Sequence, residues 1–371
     1  MCLLKLCVPL PSNYTAMTQE NRDILLRLLQ RHKALGISGQ IDFDKFYLYS
    51  IITHSTAIEG STVTEVEAQL LFDEGITSSK RTLTEQKMNL DLKVAYDYGR
   101  EWIKQHQPVT VDWLILLASK VMATTGTEYN AMGGSFSAAK GELRKLNVTA
   151  GLGGKSYMSY LKVPARLEAF CEELNYRRKT IDPTDIAAVY DLSFWAHFEL
   201  VTIHPWADGN GRTCRLLMNL LQWEFDVLPT KVLKEDKAEY IQSLIDTRDK
   251  EDLNIFLNCM ARHHCQHLQH DIDQYLKSMS EGDVLEKSNP KSVQLTGRQE
   301  KIVKLLVVTG KYNVLENVLE NVLETSSSLA AKLSVDARTI RRDLATLQTL
   351  GYLRHVGPDK GGRWQILQTL K

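Results

Sequence analysis

Between positions 202 and 215 the chain reads TIHPWADGNGRTCR, which sets His204, Asp208, Gly209, Asn210, Gly211, Arg212 and Arg215 close together. An imidazole can take a proton from an attacking hydroxyl, and guanidiniums with backbone N–H groups can neutralise phosphate oxygens. A lone carboxylate among them can hold a divalent cation when substrate phosphates and waters supply the remaining ligands. These are the parts needed to hold a metal-bound polyphosphate and to activate a hydroxyl against it.

The elements that must position these groups can be read on either side. Residues 185–201 (DIAAVYDLSFWAHFELV) are apolar and aromatic-rich without Gly or Pro, which predicts a buried helix. Pro205 and the Gly209-Asn210-Gly211 turn interrupt it, and residues 216–221 restore helical spacing. The expectation is a helix-loop-helix with Gly209 to Gly211 opening the second helix. Backbone N–H groups there lack intrahelical partners and the dipole favours an anion. Glycine lets a ligand approach the backbone closely. Arg212 and Arg215 are three apart and share a face. Two cations at a helix N-terminus oppose the dipole, a cost that a bound anion offsets.

HPWADGNGRTCR resembles the active-site motif of the Fic family, HPFxDGNGRxxR, with Trp206 in the place of Phe. The resemblance implies transfer of AMP from ATP to a Ser, Thr or Tyr hydroxyl of a protein. It makes His204 the general base and Asp208 the Mg²⁺ ligand. Gly209, Asn210 and Gly211 would cradle phosphates, and Arg212 and Arg215 would neutralise the leaving pyrophosphate. Residues 55–60 (STAIEG) resemble the family's inhibitory pattern [S/T]xxxE[G/N], at the end of an apolar helical stretch over 46–58. The implication is that Glu59 pairs with Arg215 and blocks seating of the ATP γ-phosphate, with Ser55 anchoring the helix. A carboxylate and a phosphate would then compete for one guanidinium. Residues 141–148 (GELRKLNV) are similar to the family's GxYRxxxV, with Leu143 in the Tyr place.

Residues 153–164 (GGKSYMSYLKVP) alternate small, polar and apolar side chains, which predicts a β-hairpin. The resemblance makes it a flap that pairs with an extended target segment through Lys155, Ser156, Tyr157 and Met158. Residues 10–104 resemble the helical region found with Fic domains. The fold expected is mainly α: an all-helical Fic core with a small β-hairpin flap, followed by a winged helix-turn-helix domain. The boundaries expected are 1–104 for the helical region with the inhibitory helix, 105–280 for the core, 281–296 for a linker and 297–371 for the winged helix.

Length and composition agree with two or three domains and a substantial core, at 371 residues and 43% hydrophobic. Net charge is zero, but residues 291–371 hold thirteen Lys+Arg against seven Asp+Glu, so the remainder is acidic. Six cysteines with no CxxC pair suit a reducing cytosol. Residues 1–11 offer one Lys and an apolar run too short for a secretory segment, so a cytoplasmic location without a membrane partner is expected. On a helix His263, His267 and His270 would share a face, with Asp271 close by. One helix rarely aims more than two ligands at an ion, and no partner segment is evident, so a polar face on the closing helix is the preferred reading.

Residues 278–296 are rich in Ser, Gly, Asp, Lys and Asn and read as a linker. An amphipathic helix restarts at 297. Three Asn-Val-Leu-Glu repeats over 313–324 are expected to form one helix extending the second domain, or a partly slipped insert. Further on, a short helix over 327–333, a turn and a helix over 337–350 precede two strands over 352–367. VDARTIRRDLATLQTLGYL resembles DeoR-like bacterial regulators, which implies DNA contacts by Arg338, Arg341 and Arg342. A protein-docking or dimerisation module is the alternative.

Two function classes compete. One is an autoinhibited protein adenylyltransferase acting on a target protein or on itself, with ATP and Mg²⁺. The other is a transcription regulator whose Fic domain senses a nucleotide. A third reading, AMP removal using Glu59, is an enzymatic variant of the first. The complete loop favours the transferase, because a sensor needs neither His204 nor Arg215. The partners expected are ATP, a protein target, DNA through the tail and a second copy of the chain.

Overall fold

The computed structural model describes residues 16–150, 154–287, 295–309, 311–313, 318–321, 324–349, 352–356 and 363–366. The chain is mainly helical and divides into two compact units, Met1–Ser280 and Glu281–Lys371.

Helix starts in the first unit are set by short polar signals. Thr64 with Glu67 and Thr82 with Glu85 form capping boxes at α3 (Glu65–Glu74) and α4 (Leu83–Ile103). Thr18, Thr110 and Asp185 cap α1 (Gln19–Ala34), α5 (Val111–Val121) and α7 (Ile186–Ile203) by accepting from backbone amides of the first turn. Helix α7 is apolar nearly all round, and it is central for that reason. Tyr190, Phe194, Ala196, His197 and Leu200 are buried along it, and its main neighbour is α8 (Asn210–Glu224). Its length and hydropathy would also suit a membrane span, but its burial inside this unit accounts for the composition.

Helices α2 (Phe43–Ile58), α4, α5 and α6 (Val163–Thr180) form one core with α7 and α8. Helices α1, α9 (Lys237–Lys250) and α10 (Leu253–Lys287) form a second with α7. The segment before residue 104 is therefore no separate layer: Ile52, Leu92 and Tyr96 sit in the same core as Leu217 and Leu220. Truncating one such buried leucine to alanine costs about 2–5 kcal/mol. Helix α10 runs on to Lys287, past the start of the expected linker at 278. Gly282 is its one glycine there, and a single helical glycine costs only about 1 kcal/mol, whereas the first proline is Pro290.

A hairpin of β1 (Glu128–Ala131) and β2 (Gly134–Ser137), which the sequence did not signal, stacks Tyr129 on Phe136 with ring centroids 5.0 Å apart. The hairpin expected over 153–164 lies earlier. Tyr157 N donates to Val148 O at 3.0 Å, Ala150 N donates to Lys155 O at 3.1 Å, and Thr149 and Ser156 form a single bridge. The ribbon thus spans 148–157, with positions 151–153 outside the described residues. Pro164 opens α6 rather than closing a strand, because the first turn of a helix does not need its missing N–H.

The second unit holds α11 (Gly297–Thr309), α12 (Ser326–Leu333) and α13 (Ala337–Thr349). Its antiparallel sheet has the order β3-β4-β6-β5, from β3 (Lys311–Asn313), β4 (Val318–Asn321), β5 (Leu353–Val356) and β6 (Arg363–Ile366). Ile302, Leu306, Leu329, Ile340 and Leu347 are its core. The Asn-Val-Leu-Glu repeats do not form the expected helix: their described residues lie at the end of β3, in β4 and, for Glu324, just before α12, and β4 pairs with β6. A period of four is a multiple of the strand's two as well as near the helix's 3.6. Pairing with β6 supplies the extended chain with backbone partners and decides between them. The turn before α13 is closed by Asp336, which accepts from the amides of Arg338 and Thr339.

Gly141 and Gly36 share a φ of +67°, but only one of them is crowded. A Cβ at Gly141 would lie 2.0 Å from the Ile115 carbonyl oxygen, while one at Gly36 meets nothing within 4 Å. Gly141→Ala is expected to cost about 3 kcal/mol and Gly36→Ala about 1 kcal/mol, read from urea unfolding of the full chain. Equal losses would show that Gly141 serves only its backbone angle and not its approach to α5.

Candidate active site

His204 ends α7 in the left-handed region (φ 51°, ψ 61°), with its amide donating to Leu200 O at 3.1 Å. Its Nδ1 lies 3.3 Å from Val201 O. A carbonyl only accepts, so Nδ1 is assigned the proton and Nε2 is left with the lone pair of a base. Burial lowers the ring's pKa to about 4, with the Val201 carbonyl opposing and the Arg144 and Arg248 charges adding to the fall. The imidazole is therefore neutral at pH 7.

The loop after His204 is held from both sides. Trp206 is buried and its Nε1 donates to Gly141 O at 2.9 Å. The Asn210 side chain accepts from Trp206 N at 3.1 Å and donates to Trp206 O at 2.8 Å. That side chain is consumed in closing the loop, so only the backbone of Asn210 remains for a phosphate. Gly209 turns the chain into α8 at φ 80°. Arg144, 1% exposed, donates to His204 O at 2.7 Å, Leu146 O at 2.8 Å and Met158 O at 2.7 Å, and its amide donates to Pro205 O. One buried guanidinium thus ties the loop to the flap. The sequence placed Arg144 in a family-like motif and gave it no role.

At the start of α8 lie two buried guanidiniums. Arg212 is 3% exposed and its Nη2 lies 3.4 Å from Asp208 Oδ1. Its Nε and Nη1 have no hydrogen-bond partner among the described residues. Asp208 accepts from Gly209 N, and its side chain is 56% exposed. Arg215, 2% exposed, donates from Nη2 to Glu59 Oε1 at 2.6 Å and to Ser55 O at 3.0 Å. Its Nε donates to Ser55 Oγ at 2.9 Å.

Glu59 caps the end of α2, which is fixed to α4 by Thr56 donating to Asn89 Oδ1 at 3.0 Å. A Cβ added to Gly211 would lie 2.5 Å from Glu59 Oε1, so the carboxylate rests on the first turn of α8. Burial pushes the Glu59 carboxyl up, but the Arg215 charge and hydrogen bond outweigh it and hold the pKa below the ordinary value. The second tie of Arg215 runs through Tyr240, whose hydroxyl lies 3.5 Å from Nη1 and 2.9 Å from His197 Nε2. Nothing local in the sequence marks Tyr240 or His197 for this site.

The four residues expected to form the flap divide into two pairs. Tyr157 lies flat on the His204 ring, and the Met158 carbonyl takes the Arg144 bond. Lys155 and Ser156 are exposed, Lys155 pairing with Asp249 at 2.6 Å. Arg338, Arg341 and Arg342 are exposed on α13 in the second unit. Of the three histidines expected on a polar face of the closing helix, His270 is exposed but His263 and His267 are interior, as is the neighbouring His264. Buried His263 and His267 meet Glu239 and Asp236 at 2.8 and 2.7 Å, and His264 meets the Tyr190 hydroxyl at 3.1 Å. Glu239, Cys259 and His263 gather ligand-type atoms within 4.8 Å of one another, but Glu239 is already engaged by Arg262 and His263.

Residues 108–222 match the Fic/DOC family. Protein adenylyltransferase fic-1 of Caenorhabditis briggsae is 26% identical over 264 residues, covering 70% of this chain and 46% of that protein. The chain spans less than half the length of the curated relatives it first matches. Among solved structures, Fic-1 from C. elegans is similar with a TM-score of 0.55 at 22% identity, covering 70% of this chain and 74% of that one. A Fic family protein from Desulfovibrio desulfuricans G20 has a TM-score of 0.58 at 17% identity, covering 96% of this chain and 98% of its own. At these identities the two structures speak for the fold alone. The chain carries a domain of the Fic/DOC family, and the loop from His204 to Arg215 lies inside it.

Proposed function

We propose that the chain is an autoinhibited protein adenylyltransferase. The observation that carries this reading is the Glu59 carboxylate lying on Arg215 over the first turn of α8, in the same compact unit as His204, whose Nδ1 faces the Val201 carbonyl. The oxygen of a target hydroxyl attacks the α-phosphorus of ATP and its proton passes to His204 Nε2. The bond from that phosphorus to the pyrophosphate oxygen breaks, leaving AMP on the target. Arg212, Arg215 and the amides opening α8 neutralise the leaving pyrophosphate. Asp208 is a single exposed carboxylate beside a cationic anion site, a sparse donor set that fits Mg²⁺ when phosphates supply other ligands. The cation would offset charge building on the leaving group. With Glu59 in place, Arg215 is already engaged, so the terminal phosphate of ATP has to displace a carboxylate.

The free thiols of Cys171, Cys214, Cys259 and Cys265 suit the cytoplasmic setting that we propose for this reaction. For the second unit we propose a winged-helix role in DNA binding. What supports it is the exposure of Arg338, Arg341 and Arg342 on α13 while Ile340, Leu344 and Leu347 of the same helix form core.

Incubation with α-labelled ATP and cell lysate tests the first reading. His204→Ala is expected to lower labelling by about 10²–10⁴-fold while ATP binding persists, because the base is lost and the anion site stays. Undiminished labelling by the variant would remove His204 from the reaction.

The DNA reading is tested with the full chain and genomic fragments in a mobility-shift titration. Affinity is expected to fall steeply between low and moderate salt, and the triple change of Arg338, Arg341 and Arg342 to Ala to weaken it at every sequence tested. No shift even at low salt would assign the unit to protein docking instead.

A further inference from the structure

We propose that Tyr157 is a positioning residue for the general base, not a side chain presented to the target: its ring lies flat on the His204 imidazole and closes that face to water. The proposal rests on the transferase reading for its consequence, but its evidence is geometric. The two ring centroids are 3.8 Å apart and the planes differ by 20°. The guanidinium of Arg248 also lies over the Tyr157 ring, 4.9 Å from its centroid.

The flap carrying Tyr157 is pinned on both sides of it. Lys155 pairs with Asp249 at 2.6 Å, one residue from Arg248 at the end of α9. Met158 O accepts from Arg144, which also holds the His204 carbonyl. The last turn of α9 and the buried Arg144 therefore press the aromatic ring against the base. An extended flap meant only for docking would leave this ring outward.

The stack has two chemical consequences. It keeps the neutral ring dry, so the Nε2 lone pair is free at neutral pH. It also offers an aromatic face to the imidazolium that forms when the hydroxyl proton arrives, an attraction of opposite sign that burial of the ring outweighs. The stacked face is closed to the target hydroxyl, which meets the Nε2 lone pair in the imidazole plane. The charged groups around the ring are Arg144 from the loop after β2, Arg248 from α9 and Glu59 from the end of α2.

The test is a titration of ¹³C-labelled histidine in the full chain by NMR, with the His204 signal assigned by its loss in His204→Ala. Wild-type His204 should stay neutral down to about pH 5. Tyr157→Ala should raise its midpoint by about one unit or more toward the ordinary histidine value, by admitting water. Tyr157→Phe should keep the low midpoint because the ring is kept. The acid limb of kcat/KM against pH should move with the midpoint in Tyr157→Ala and stay in Tyr157→Phe. An unmoved midpoint in Tyr157→Ala, with a change only in KM for the protein target, would overturn the proposal and return Tyr157 to docking. Because the titration needs no turnover, a chain without AMP transfer would fail the functional reading while the stacking role is still decided.

Discussion

A guanidinium sealed at the positive end of a helix has to be given an anion. Arg215 is almost wholly buried near the start of α8, with Arg212 buried one turn earlier. Leaving such a charge unpaired in the interior costs several kcal/mol, so the fold must bring a partner to it. Helix α2 does this with its last turn: Ser55 accepts through its hydroxyl and carbonyl, and Glu59 through its carboxylate. An arriving phosphate could meet the same need. Under the proposed function, inhibition and catalysis are two solutions to one electrostatic demand, and they exclude each other.

The remaining architecture holds the two sides of this contest in register. Helices α2, α4 and α8 share one core, so the end of α2 cannot drift from Arg215 without opening it. His204 is fixed by separate means, through its left-handed cap on α7 and the Arg144 bonds to the His204 and Met158 carbonyls. His204 and the two arginines are thus built on rigid elements, while the Glu59 carboxylate sits at a helix end and is 33% exposed. A group in that position can be displaced without unfolding what surrounds it.

Much of this was legible in the sequence where the signal was local. The apolar run of α7, the breaks at Pro205 and Gly209 and the resumption in α8 define the loop by their own chemistry. Pairing of Glu59 with Arg215 could be expected only by resemblance, since 156 positions separate them. What escaped was set by distant partners. Arg144 finds carbonyls on three separate stretches, Tyr240 reaches Arg215 from α9, and Tyr157 stacks on His204 with Arg248 from α9 over its ring. The repeat over 313–324 failed differently: its period suits helix and strand alike, and only pairing with β6 chose between them. The histidines of α10 looked like a polar face because the carboxylates that satisfy two of them come from residues 236 and 239.

The claim on which the rest turns is that Glu59 and the terminal phosphate of ATP compete for Arg215. It is tested most directly by the initial rate of AMP incorporation at Mg-ATP well below saturation, where the rate follows kcat/KM, for wild type and Glu59→Gly side by side. Removing the carboxylate should raise the rate by at least about tenfold, the factor equivalent to about 1.4 kcal/mol, because Arg215 is freed for the phosphate. A Glu59→Gly chain that is no faster than wild type, or slower, would contradict the account.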